Sequence, residues 1–431
     1  MLIFKKLKAE LFNDTLKTEF RISEKDFTRK RKQEFSTILL LMLNMLRKSL
    51  SLELENFLSF LKISPTQKFT KSAFVQARKK ISPIVFKHLS HTLIEEFYTD
   101  NECAIKTWKG FRLLAVDGSR VTLPLTKELK SYFGETKNHT TTSIVQARCS
   151  VLYDLENNYV IDGELAPVSQ GERAMALSHL THCKQGDLIL YDRGYPSYDF
   201  IKYHITNNLD YVIRVQIGFS KLIINFEKSK KKSQIVTISP GIYIKQSDKG
   251  LDKSKPIKVR LIRVELPKGQ VEILMTSLYD IKSYPNSIFK SLYYKRWNVE
   301  TFYDELKNKL KVEHFSGYSK QSILQDFYAA LFISNIQRLI VSELEDEIAE
   351  KNKQRRLDYK INKNLSYGFL KNRVVELFFT ESSIEEPLNE LKQLFMENMV
   401  PIRPNRSFKR DLAKYRTRTK PKITKNQKDS I

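Results

Sequence analysis

Near Phe111 the hydrophobic pattern changes from helical spacing to short strand-type runs, and the order of elements that follows constrains the fold more than any other feature. Leu113-Leu114-Ala115-Val116 is the first run; Asp117-Gly118-Ser119 follows it, then Val121-Thr122-Leu123. Ser143 to Tyr153 and Tyr159 to Leu165 are two more strand candidates, parted by the turn signal Glu156-Asn157-Asn158. A helical stretch, Glu172 to Cys183, precedes the strand Leu188-Ile189-Leu190-Tyr191, which ends at Asp192. Pro196 to Asn208 reads as a helix and Tyr211 to Val215 as another strand. Antiparallel strands followed by alternating helix and strand predict a mixed α/β sheet with helices packed on its faces.

Charge narrows the partner. The chain has 74 Lys and Arg against 49 Asp and Glu, a net +25 over 431 residues. Self-repulsion of that size opposes compaction, so a polyanion is the natural partner. Nucleic acid suits it, because Lys and Arg release the counterions of phosphates. A merely well-solvated lysine-rich chain is the alternative. Cys103, Cys149 and Cys183 are widely spaced and odd in number, which implies no disulfide framework and fits a reducing cytoplasm. The start, MLIFKKLKAE, meets charge at once and does not read as a signal peptide. The longest apolar run, Ile38 to Leu43, falls short of the about 20 residues of a membrane span and reads as a buried helix. Glycines at phosphate-loop spacing are absent.

The flanks read as helical. Ser36 to Leu61 carries leucines at spacings of three and four, and Ser64-Pro65 interrupts the pattern. Thr70 to Lys80 bears Lys71, Arg78, Lys79 and Lys80 with no acid, which fits either a DNA-facing surface or a solvated helix face. Residues 216–282 hold short β-rich runs: Leu222–Phe226, Ile235–Ile238, Ile242–Ile244, Ile257–Leu266 and Val271–Thr276. Ser239-Pro240-Gly241 and Pro267-Lys268-Gly269 mark turns between them. From Asn286 the pattern is helical almost to the end, and the tail from Arg403 has a net charge of +9. The expected layout is a helical N-terminal region (1–105), which the resemblance described below implies is DNA-binding, an α/β core (106–215), a β-rich insertion (216–282), the rest of the core (283–345) and a helical C-terminal region with a basic tail (346–431).

Three acids stand out. Asp117 and Asp192 each directly follow an apolar strand-type run, where an acid is either a turn or cap residue or one placed to meet a ligand. The third lies on an expected helix from Ser287 to Leu310. Tyr293, Arg296 and Lys307 stand at offsets −7, −4 and +7 from Glu300, which on a regular α-helix puts all four within an arc of roughly 60°. Trp297 sits at the edge of that arc. A salt-bridged surface helix would give the same i,i+4 pair, and Asp304 is the rival to Glu300. Three carboxylates at one sheet edge repel one another, and divalent cations relieve that. Asp162, Glu164 and Glu172 read as core-edge or capping acids. His179 and His182, followed by Cys183, bring zinc to mind, but no fourth ligand stands at suitable spacing.

The combination resembles bacterial insertion-sequence transposases of the DDE class, in the branch marked by a Y-x2-R-x3-E-x6-K signature. Tyr293, Arg296, Glu300 and Lys307 have that spacing, and Asp117-Gly118-Ser119 and Tyr191-Asp192-Arg193-Gly194-Tyr195 stand where the first two acids belong. The β-rich insertion before the third acid is a further shared trait, and the resemblance covers about residues 105–320. It implies an RNase-H-like fold, with Asp117, Asp192 and Glu300 binding two Mg²⁺ or Mn²⁺ ions. It further implies that Tyr293, Arg296, Lys307 and Arg193 hold DNA phosphates and that Trp297 stacks a flipped base. The expected activity is cutting at terminal inverted repeats and joining of the freed 3′-hydroxyl to target DNA, by a synaptic homodimer in the bacterial cytoplasm, at the nucleoid. A nuclease of the same fold without strand transfer, or an inactive DNA-binding derivative, would share most of these residues. The first and last 100 residues carry no matching motif.

Overall fold

The computed structural model describes residues 1–29, 31–100, 105–137, 143–239, 255–379 and 383–404. Cys103, the Pro240-Gly241 turn, the expected strand Ile242–Ile244 and the tail beyond residue 404 lie outside the described residues.

Six helices come first: α1 (Leu2–Leu11), α2 (Asp14–Phe20), α3 (Phe35–Leu43), α4 (Leu50–Phe60), α5 (Lys71–Arg78) and α6 (Ile84–Asp100). The long apolar run forms α3, buried at every position except Ser36. Among the described residues no helix is long and apolar enough to cross a membrane.

The sheet region runs β1 (Arg112–Thr122), α7 (Lys127–Phe133), β2 (Glu135–Lys137), β3 (Ser143–Asp154), β4 (Val160–Pro167), α8 (Glu172–His179), β5 (Asp187–Tyr191), α9 (Tyr198–Thr206) and β6 (Asp210–Val215). It continues with α10 (Lys221–Lys228), β7 (Ser233–Ile238), β8 (Ile257–Glu265) and β9 (Val271–Thr276). β3 pairs antiparallel with β1 and β4, and β5 pairs parallel with β1 and β6. This is the RNase-H-like order. β5 is buried at all five positions, as a parallel strand covered on both faces must be. The strands of the β-rich insertion do not stand apart: β9 pairs with β6 and β8 with β9 and β7, so they extend one nine-stranded sheet.

One expected strand is a helix. Leu222–Phe226 lies in α10, where the Ser220 side chain caps Ile223 N–H and Ile223 and Phe226, three apart, are the buried positions. After the sheet come α11 (Ile288–Tyr294), α12 (Trp297–Asp304), a π turn (Glu305–Lys309), α13 (Lys320–Ser342), α14 (Glu345–Lys353), the strand β10 (Tyr359–Ile361), α15 (Lys363–Phe379), α16 (Glu385–Glu397) and β11 (Met399–Pro401), which pairs with β10. α13 is buried around most of its circumference, packing against α6 and β4. Arg78 departs from the surface expectation. It is buried, and ties α5 to α13 through Gln325 and Asp326.

Candidate active site

The first two acids meet through strand register. β1 and β5 pair from Arg112 opposite Asp187 to Ala115 opposite Leu190. Continued by two residues, that register sets Asp192 beside Asp117. β5 stops at Tyr191, while β1 runs on against β3 as far as Thr122 opposite Gln146. Asp117 therefore lies within β1 and not at its end, because β3 keeps Gly118, Ser119 and Arg120 in the strand. Its flank is open where β5 ends, at the carboxyl end of the parallel strands, where open α/β sheets place their ligands.

The third acid arrives from α12. Arg296 Nη2 donates to Glu300 Oε1 at 2.6 Å, and Arg296 Nη1 lies 3.9 Å from Asp117 Oδ2. Burial lifts the Asp117 carboxyl to about 6; the Glu300 and Asp192 charges push the same way, against Arg296 and the Gly118 backbone. Asp192 accepts from Gly194 N–H at 2.5 Å. Asp304, the rival to Glu300, is exposed and accepts from Asn308 at 2.6 Å.

The expected single helix from Ser287 to Leu310 is in three pieces. Between α11 and α12 the backbone tightens to i→i−3 bonds, as in Arg296 N–H to Tyr293 O at 3.1 Å, and after α12 it opens into the π turn. The uniform 100° step fails, but one stretch overwinds and the other underwinds, and the signature side chains still reach β1 and β5. Tyr293 Oη donates to Tyr191 O at 3.2 Å. Lys307 Nζ donates to Ser119 Oγ at 2.6 Å and to Arg120 O at 2.7 Å. Trp297 is 45% exposed with its ring 5.7 Å from the Arg296 guanidinium, and Arg193 is exposed on the turn after β5.

Three neighbours were not foreseen. Tyr303 Oη donates to Asp117 O at 2.7 Å and holds the strand against α12. Glu172, expected only to open α8, also faces the acids. A Cβ on Gly118 would meet its Cγ at 3.4 Å, and one on Gly194 would meet Asp192 Oδ1 at 3.4 Å and Glu172 Oε2 at 3.8 Å. Arg148 forms an ion pair with Glu172. Tyr195 is buried, and its hydroxyl has no hydrogen-bond partner among the described residues. Burial, then Asp117, Glu172 and Asp192, hold that phenol well above its usual range. Its place in the Tyr191–Tyr195 segment was the available signal.

An RNase-H-like sheet with clustered carboxylates at the end of its parallel strands is the framework of a nucleic-acid phosphoryl-transfer enzyme. The comparisons make the assignment sharper: residues 108–336 match the transposase DDE domain, and the chain belongs to that family. It is 21% identical over 280 residues to transposase InsG for insertion sequence element IS4 of Escherichia coli (strain K12). That match covers 64% of this chain and 62% of the relative, so the chain spans less than two thirds of the relative's length. The cryo-EM structure of a piggyBac transposase synaptic complex with hairpin DNA aligns with 96% of this chain and 89% of its own, at 10% identity and a TM-score of 0.45. DDE transposases use divalent metal ions. The residues here fit one: the donors are hard carboxylate oxygens, burial together with the Glu300 and Asp192 charges disfavours the bare Asp117 carboxylate, and the buried Tyr195 hydroxyl near them has no partner among the described residues.

Proposed function

We propose that the chain is a DNA transposase that cuts the ends of its own element and joins them to target DNA. The observation that carries this reading is the meeting of Asp117, Asp192 and Glu300 at the end of β5 in a chain of the DDE family. These three residues would hold two divalent ions, Mg²⁺ or Mn²⁺, which when bound supply an activated attacking oxygen and a stabilised leaving oxygen for an in-line displacement at phosphorus. Cutting and joining are the same displacement with different attacking hydroxyls, so one set of acids serves both.

The surrounding side chains handle the DNA. Arg296 and Lys307 put fixed positive charge beside the acids for the phosphates of an element end. Arg193, exposed after β5, adds a phosphate contact, and the open face of Trp297 stacks an unstacked base. Tyr293 is buried, as Arg296 is. Its hydroxyl braces the Tyr191 carbonyl next to Asp192, and its ring lies 5.8 Å from the Arg296 guanidinium. The substrates are double-stranded terminal inverted repeats and target DNA, held by a homodimer that pairs two ends at the bacterial nucleoid in the cytoplasm.

The test is a strand-transfer assay with the full chain, Mg²⁺ and DNA bearing the inverted repeats that flank its coding region. The expected result is cleavage at the repeat ends and joined products, both lost in Asp192→Asn. Cleavage without joining would move the assignment to a nuclease. DNA binding without either reaction would make the chain an inactive derivative.

A further inference from the structure

A second group of ligand-type side chains stands on β4, the strand beyond β3 from the acids. Asp162 on β4 is buried, with a side-chain exposure of 1%. Its Oδ1 lies 3.1 Å from His91 Nε2 on α6, and its Oδ2 lies 3.8 Å from His182 Nε2 in the turn after α8. The His91 and His182 rings lie against each other, tilted by 46°, with centroids 4.5 Å apart. One donor atom from each of the three residues falls within 4.8 Å of the others. A tetrahedral zinc ion with bonds near 2 Å sets neighbouring ligand atoms about 3.3 Å apart, so these separations need only small side-chain adjustments.

We propose that His91, Asp162 and His182 form a Zn²⁺ site that fastens α6 to the catalytic core. The fold brings His91 from α6 and Asp162 from β4 to His182, giving three protein ligands and leaving the fourth tetrahedral position to water. His179 takes a supporting part: Nδ1 lies 2.7 Å from Asp162 Oδ2 and Nε2 lies 3.0 Å from Ser150 Oγ, a buried brace of the kind that orients a ligating carboxylate. Two imidazoles favour zinc over magnesium, which separates this site from the three acids.

Lys87 opposes the ion. Its Nζ lies 2.9 Å from Asp162 Oδ1, and a second acceptor, Glu164 Oε1, is 3.5 Å away. Entry of zinc requires the ammonium to move over to Glu164, so lysine and metal compete for one oxygen.

That competition gives the test. The metal-free full chain is titrated with Zn²⁺ by calorimetry in millimolar Mg²⁺, and with Co²⁺ followed by visible absorption. The expected result is one zinc per chain, a tetrahedral cobalt spectrum and a melting temperature raised by zinc. His91→Ala and His182→Ala, at side chains about one-third exposed, should fold and weaken binding by about 100-fold. Lys87→Met should tighten it by about tenfold, which a purely structural cluster would not do. Absence of stoichiometric zinc binding in the wild type, or binding unchanged in the His91→Ala/His182→Ala double variant, overturns the proposal. Neither result bears on strand transfer, which is scored separately.

Discussion

Two arginines of this chain each meet a carboxylate, and their surroundings divide scaffold from working site. Arg78 and Asp326 have side-chain exposures of 4% and 3%. Arg78 Nε donates to Gln325 Oε1 at 2.9 Å, Nη1 to Ser316 Oγ at 2.6 Å and Nη2 to Asp326 Oδ1 at 3.0 Å. Ser316 closes the ring through its own hydroxyl bond to Asp326 at 2.7 Å. Arg296 is nearly as buried, at 7%, but its partner Glu300 is 37% exposed, Asp117 is 3.9 Å off, and its Nε has no partner among the described residues. A buried polar group without a partner is costly. The closed network is complete without a ligand. The open one has donors left over, as the phosphate-binding role proposed for Arg296 requires.

The sharpest way to break this contrast is at the acids. Asp117→Asn and Asp192→Asn remove charge from a site where burial, with like charges beside it, already disfavours the Asp117 carboxylate, so folding should lose little. Chemistry should fall by about a thousandfold or more, the loss of several kcal/mol of transition-state stabilisation. Cleavage rates with Mg²⁺ and urea midpoints, measured on the same preparations, check both halves. A midpoint that collapses along with the rate would mean the acids are structural.

Arg78→Ala should do the reverse. It strands Asp326 in the interior at a cost of about 3–5 kcal/mol, read as a lower urea midpoint, while DNA affinity of the folded fraction stays the same. Arg78→Met/Asp326→Leu, which removes both charges, should recover most of that loss. Weakened DNA binding at unchanged stability would instead return Arg78 to the basic surface that its neighbours Lys71, Lys79 and Lys80 suggested.

The same contrast explains what could be read in advance. β1, β3, β4, β5 and β6 were legible because buried strands are short apolar runs; Asp117 and Asp192 drew notice because they follow such runs, and Glu300 because of its spacing from Tyr293, Arg296 and Lys307. The scaffold role of Arg78 was not: its partners Gln325 and Asp326 are 247 and 248 residues away, and no local pattern reports them. Leu222–Phe226 misled because a run of Leu, Ile and Phe carries strand propensity, although Ser220 supplied a helix cap. α7 was missed despite its Thr126 cap and the positive φ of 90° at Gly134. The tightened turn at Arg296 and the π turn after Asp304 come from packing onto β1, through Tyr303 and Lys307, and not from propensity. The convergence of Glu172 and Tyr195 on the acids depends on the way α8 and the turn after β5 meet the sheet, which spacing alone does not encode.

Arg296→Gln tests the open side with a smaller effect. Its pair with Glu300 is partly solvated, so stability should change by less than about 1 kcal/mol. DNA affinity should fall, and the slope of log affinity against log salt should drop by about one, the signature of one lost phosphate contact. An unchanged salt slope would make Arg296 a brace for Glu300 and nothing more.

Trp297→Ala carries the smallest expected change and sharpens the contrast at its edge. The ring is 45% exposed, so its removal should leave the urea midpoint in place. If the indole stacks an unstacked terminal base, binding of an element end should weaken by about five- to tenfold, near the low end of the energy of one base stack. Trp297→Phe should keep most of that affinity. A 2-aminopurine placed beside the terminal base should brighten when the wild type draws that base away onto the indole, and stay quenched with Trp297→Ala. Because the indole also lies 5.7 Å from the Arg296 guanidinium, the two substitutions share a contact, and Arg296→Gln/Trp297→Ala should cost less than the two losses added. Strict additivity would separate the ring from the arginine and assign the aromatic contribution to the base alone.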